Sequence, residues 1–416
     1  MTPEPKPRRR AGRRCATLAA GLSVLLGMGW AAAHEPGADA LPDAPGWRVG
    51  AAAAVLAVEA RQPWPTPQWP GVLIYGSAPR DQRGGLHVEH VTVDAAARIS
   101  ERWGAHVALG VHDRDRAHVE AARLQARWER EDDEFQLGLG RDTVRMGAPI
   151  DGAGHFDRFS QAPMAKRAVL NDMWADDGAS FAWRRAVERG LRGVELGLWR
   201  GQAFPGGPRG KPVPTVHLQL GWDHLDVHVF SARLQPEGRG AAVMSAGASG
   251  HLHSSPDCRA SLRQLVCFDG RVDVLGGSLQ WAPEDSALTL SVAGLARRER
   301  GALYSLSGDA DYRAKVKGVW ADAAWQFDDR WAGALRLERL VPGNSLTGVG
   351  ATLVSREAGL AQGGPVNRWT ASLLHTPFER FQVALEGGTE SGVQGRSTHV
   401  AIRLIWRHPE LLGAGW

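Results

Sequence analysis

The chain has 416 residues, with 49 Lys and Arg against 45 Asp and Glu, a formal net charge of +4 and 43% hydrophobic residues. The positive excess sits before Cys15, so the remainder is near neutral and gives no reason to expect nucleic acid as a partner. Beyond the N-terminal segment there is no apolar run long enough for a spanning helix, while 51 Gly and 17 Trp against 3 Tyr is an unusual balance.

Arg8, Arg9, Arg10, Arg13 and Arg14 form a basic region, Ala16 to Trp30 an apolar core, and Ala31-Ala32-Ala33 a small-residue cleavage site. The apolar stretch is about 15 residues, short of the roughly 20 that a membrane helix needs. Residues 1–33 are therefore expected to be a signal peptide and 34–45 a short periplasmic segment. Cys15 precedes the apolar core, which argues against a lipoprotein anchor.

From Trp47 onward, short segments alternate apolar and polar side chains. Phe135-Leu137-Leu139, Val194-Leu196-Leu198, Val216-Leu218-Leu220-Trp222, Phe381-Val383-Leu385 and Val400-Ile402-Leu404-Trp406 each put one set of side chains on one face. Short connections such as Glu131–Asp133, Asp223–His224 and Asp328–Arg330 alternate with long ones around 61–85, 143–177, 235–270, 300–313 and 341–366. Short turns at one end and long loops at the other are the pattern of a transmembrane antiparallel β-barrel, with the short turns periplasmic. The bilayer admits only helices and closed barrels. Counting gives 16 strands over residues 46–408, with 409–416 as a C-terminal extension. Val349 to Arg356 is a further strand candidate, and a second missed strand would raise the count to 18.

Trp47, Trp103, Trp128, Trp183, Trp222, Trp281, Trp325, Trp331 and Trp406 all fall at the short-turn ends, as an interfacial aromatic girdle requires. Cys258 and Cys267 lie close together in one Gly/Ser/His-rich stretch and are expected to form a local disulfide.

These features resemble the porin superfamily of Gram-negative outer membranes. Thr398 to His408 resembles its C-terminal assembly signal, and Phe135 to Ala148 is weakly similar to the phosphate-selective porin O and P group. The resemblance implies insertion by the barrel-assembly machinery into the outer membrane, contact with its lipid and lipopolysaccharide, and homo-trimers as one assembly. It also implies that a third long loop folds into the lumen.

Strand parity places Arg123, Arg127, Arg184, Arg336, Glu338, Glu386, Arg403 and Arg407 on the lumen wall, where a surplus of arginine would favour anions. The loop 143–177 is long enough to have a task of its own, and Asp151, His155, Asp157, Arg158 and Asp172 are its constriction candidates. His155 with Asp157, and His251 with His253, are pairs a metal could use, but neither belongs to a specific motif; no metal or cofactor is expected. Ser160 near His155 has nothing to orient it as a nucleophile, so the chain is not expected to be an enzyme. The expected function is a passive, porin-like channel for small hydrophilic solutes with an anion preference. The rival is a filled outer-membrane barrel that binds or scaffolds, with a metal as one candidate link.

Overall fold

Alternating side chains make two-faced strands, and tight turns pair each strand with its neighbour in sequence. The computed structural model describes residues 41–74, 81–112, 117–154, 156–242, 257–258, 265–360 and 363–415. Among these, the first half of the chain forms β1 (Gly46–Ala60), β2 (Gly85–Arg98), β3 (Trp103–Val111), β4 (His118–Arg130), β5 (Asp133–Thr143), β6 (Ala175–Arg185), β7 (Arg189–Trp199), β8 (Val213–Trp222) and β9 (Leu225–Leu234). The second half forms β10 (Arg239–Ala242), β11 (Leu265–Trp281), β12 (Leu288–Ser305), β13 (Gly308–Gln326), β14 (Trp331–Val341), β15 (Asn344–Thr347), β16 (Val366–Phe378), β17 (Phe381–Gly392) and β18 (Gly395–Gly415).

All the pairings are antiparallel, and β1 pairs with both β2 and β18, which closes the sheet. The four-residue β10 pairs with β11 beyond the end of β9, and β15 pairs with β13 beyond the end of β14. The 18 strands among the described residues therefore make a barrel of sixteen staves.

Three boundaries differ from expectation. Val349 to Arg356 is not a strand but lies largely within helix α3 (Ala351–Glu357). Val354 of that helix and its capping residue Ala358, one turn apart, are buried while Arg356 between them is exposed, a spacing that an alternating strand would not give. The stretch 300–313 is not a loop: β12 and β13 pair through it and turn at Leu306–Ser307. There Arg300, Asp311 and Arg313 face outward above the apolar belt, so polarity rises while the strands continue. The last strand does not stop at His408 either. It runs to Gly415, with its register against β1 shifting between Val49 and Ala51. Gly50 makes room for this irregularity, since a Cβ there would sit 2.7 Å from the Pro409 carbonyl oxygen.

Burial alternates along the staves. On β14 the outward Leu335 and Leu337 are exposed, while the inward Arg336, Glu338 and Leu340 are buried. The outward Val400, Ile402 and Leu404 of β18 and Val319 of β13 continue the exposed apolar surface. A barrel wrapped in aliphatic side chains is stable only in hydrocarbon, so this face meets lipid. Trp47, Trp103, Trp128, Trp222, Trp281, Trp325 and Trp331 are exposed at the short-turn end, as the girdle requires. Trp64, Trp69, Trp174, Trp199 and Trp320 are buried inside.

Candidate functional site: the lumen and its inserted loop

The segment between β5 and β6 enters the lumen. Gly147 (φ 115°) turns the chain where a side chain would collide with His228 of β9. The short helix α1 (Ala148–Asp151) follows, and the Asp151 carboxylate accepts the N–H groups of Met146 (3.1 Å) and Gly147 (3.0 Å). Burial pushes the Asp151 carboxyl up from its ordinary range. Next comes a strap, residues 156–163, which leads into helix α2 (Met164–Leu170), whose seven residues are all buried.

The strap runs along the wall stave by stave. At β18, Arg403 donates to the Asp157 carbonyl (3.0 Å) and Arg407 to that of Phe156. At β17, Glu386 accepts both the N–H (2.6 Å) and hydroxyl (2.8 Å) of Ser160. At β16, Arg368 donates to the Ala162 carbonyl (2.9 Å). At β14, Glu338 accepts the Met164 N–H (2.6 Å), and Arg336 reaches both the Gln161 carbonyl (3.2 Å) and the Asp157 carboxylate (3.1 Å). At β13, Gly318 lets α2 approach, because a Cβ there would lie 2.7 Å from that of Ala165. At β12, Arg297 donates to the Val169 carbonyl (3.2 Å).

The wall charges are themselves paired. Arg336 also binds Asp322 (2.7 Å) and covers the Phe159 ring (4.3 Å). Arg368 binds Glu338 (2.6 Å), Arg403 binds Glu89 (2.8 Å), and Glu386 meets His399 (3.2 Å). Truncating one partner of such a buried pair leaves an uncompensated charge, at a cost of about 3–5 kcal/mol. Within the loop, Lys166 donates to the Ala153 carbonyl (2.7 Å), and burial lowers its pKa to about 8. Arg167 faces Asp172 (3.7 Å).

Arg336, Glu338, Glu386, Arg403 and Arg407 thus converge on the loop, and Asp157 of the strap meets them through Arg336. Arg123, Arg127 and Arg184 stand on β4 and β6, away from these strap contacts. There Arg123 binds Asp142 (2.8 Å), while Arg127 and Arg184 share Glu134 (3.1 and 3.2 Å). Arg127 also meets Glu129 (2.8 Å). Gln136, Glu195, His217 and Gln219 continue this inward face and are only partly buried. Arg158 is half-buried, and His155, His251 and His253 lie outside the described residues.

Two features were missed in the sequence. The loop after β1 also turns inward: Trp69 donates to Glu390 (3.0 Å), and Arg167 reaches the Thr66 carbonyl (2.9 Å). Its run of Trp69, Val72, Leu73 and Ile74, too apolar for an exposed loop, was the available signal. The other is a set of three imidazoles, His90, His112 and His118, around Glu120, whose members come from β2, the end of β3 and the start of β4 and form no motif.

No protein-family profile and no curated protein matches the chain. Solved structures do match. A loop-deletion mutant of OmpT, an outer membrane protein of Vibrio cholerae, is 10% identical with a TM-score of 0.55, over 87% of this chain and 99% of that one. This chain has the porin fold. The trimer form of the same OmpT superposes with a TM-score of 0.54 at 9% identity, over 88% of this chain and 100% of that one. An anion-selective porin from Comamonas acidovorans gives 0.50 at 11% identity, over 87% and 99%. In this porin-type barrel, closure, stave number and outward apolar belt all follow the expectation from sequence.

Proposed function

We propose that the chain is a porin-like channel of the outer membrane, exported by a signal peptide spanning residues 1–33, and that loop 143–177 narrows its lumen. One observation carries this reading: the strap is tied to the β12–β18 wall, while the inward face of β4–β8 keeps partly exposed polar side chains. A filled barrel would bury both sides alike. Water and small hydrophilic solutes pass between the strap and the β4–β8 wall.

The finer part is a modest anion preference. Arg336 and Arg403 are neutralised by carboxylates, and Arg127 and Arg184 by Glu129 and Glu134, so the preference rests on Arg407, which donates to the Phe156 carbonyl. Among the described residues, Ser160 of the strap donates its hydroxyl to the Glu386 carboxylate (2.8 Å) and not to an imidazole base, which supports a transport role over an enzymatic one. Outside, above the apolar belt, Arg233, Arg271, Arg298 and Arg300 border one recess with Asp273, a set suited to lipopolysaccharide phosphates. Assembly through the C-terminal strand, with three copies together, belongs to the same proposal.

The test is conductance in planar bilayers. Purified protein is expected to give uniform unitary steps, with a reversal potential shifted toward the anion in a salt gradient. Folded protein without steps would favour the binding or scaffolding barrel.

A further inference from the structure

At the long-loop end of the lumen, β2 supplies His90, the residue just after β3 is His112, and β4 supplies His118 and Glu120. One carboxylate oxygen, Glu120 Oε1, lies 2.7 Å from His90 Nε2, 3.7 Å from His112 Nε2 and 3.7 Å from His118 Nε2. The ligand atoms of His90, His112 and Glu120 all lie within 4.8 Å of one another, and all three residues are buried. We propose that His90, His112, His118 and Glu120 form a binding site for a divalent transition metal of the zinc class.

The spacing suits coordination. Metal–ligand bonds of about 2.0–2.1 Å in a tetrahedron place ligand atoms about 3.3 Å apart. The three separations from Glu120 Oε1 bracket that value, and a shift of His90 away from Glu120 with closure of the rings around the ion completes the site. Three imidazoles and a carboxylate are donors for zinc, nickel or copper, whereas magnesium and calcium call for oxygen.

The surroundings keep the set in place. Thr92 donates its hydroxyl to the other carboxylate oxygen, Glu120 Oε2 (3.3 Å), which leaves Oε1 toward the imidazoles. Gly110 of β3 lies beneath: a Cβ there would come within 2.1 Å of Glu120 Oε1 and 2.8 Å of His90 Nε2. The His90 and His112 rings stack at 4.2 Å, and His112 and His118 at 5.3 Å. An ion pair alone would use His90 and Glu120. It gives no reason for two further imidazoles to face the same oxygen. His118 is the more exposed member, so the ion reaches the site from its side. Phe156 of the strap lies against His90 at 5.2 Å, which puts the site beside the inserted loop.

The test uses untagged full-length protein, refolded in detergent and stripped with a chelator. Titration calorimetry with Zn²⁺ is expected to show one saturable site per chain. His90→Ala and Glu120→Gln should abolish it, and Thr92→Val should weaken it by about 10- to 100-fold. His217→Ala, at the distant His217–His228 pair, should leave it unchanged. Should a variant fail to fold, Co²⁺ bound to the wild-type protein gives a second readout: the proposal expects the intense visible absorption of a four-coordinate ion. Absence of saturable Zn²⁺ binding, binding unaffected by His90→Ala and Glu120→Gln, or only the weak six-coordinate cobalt spectrum would each overturn it.

Discussion

Arg336 gathers more of the strap than any other wall residue described above. It binds Asp322, Asp157 and the Gln161 carbonyl, and it covers Phe159. Arg336→Ala leaves two carboxylates facing each other inside the lumen, so strap docking should weaken by about 3–5 kcal/mol. The expected outcome is an assembled barrel whose single-channel traces spend much of their time in a larger conductance state. Lys166 adds a pH dependence. Its pKa is lowered to about 8 in the docked loop against an ordinary 10.5, and Asp151, Asp157, Asp172 and Arg336 are the charges that act on it. Between those values the released loop binds more protons than the docked one, so docking strengthens as pH rises from about 8 to 10.5. Below about 8 the penalty of holding the buried cation is fully present. The large-conductance state should therefore become rarer from pH 7 to pH 10, and Lys166→Met should flatten that profile.

At the scale of elements, the Cys258–Cys267 disulfide closes a small loop, with Cα atoms 6.0 Å apart. Cys267 is not in the loop proper but in β11, paired with Tyr304 of β12, so the bond clips the loop to the head of a stave. By chain entropy, closing so short a loop contributes about 2–3 kcal/mol, which is local because the ladder around it remains. The Cys258→Ser/Cys267→Ser double variant should keep the barrel's heat-modifiable gel mobility while proteases cut the loop faster. Loss of the barrel band would contradict this. The staves were legible because Val216-Leu218-Leu220 or Val400-Ile402-Leu404 alternate with no ambiguity, and their turns are short. The strap's path was not, because its partners are remote in sequence: Ser160 meets Glu386, 226 positions away. The sequence exposed Asp157, Arg336, Glu386 and Arg403 as inward charges, but not which binds which. The His90, His112, His118 and Glu120 cluster was hidden for the same reason, since only strand register assembles it.

For the whole molecule, sixteen staves enclose an interior that two loops fill unevenly. The loop after β1 and the strap with α2 build an apolar mass with Trp69, Val72, Met164, Val169 and Trp320, packed against Phe230 of β9, Val274 of β11, Leu295 of β12, Val316 of β13 and Leu340 of β14. The β4–β8 side keeps its polar lining. The barrel's backbone bonds run from stave to stave, so the inserted loop is not part of what holds it closed. Deletion of Asp151 to Asp172 should therefore spare assembly and widen the water path. The most direct measurement is the unitary conductance of this deletion variant beside the full chain, in the same bilayer and salt. A folded barrel with clearly larger unitary steps is expected; equal steps from the two proteins would contradict a lumen narrowed by this loop.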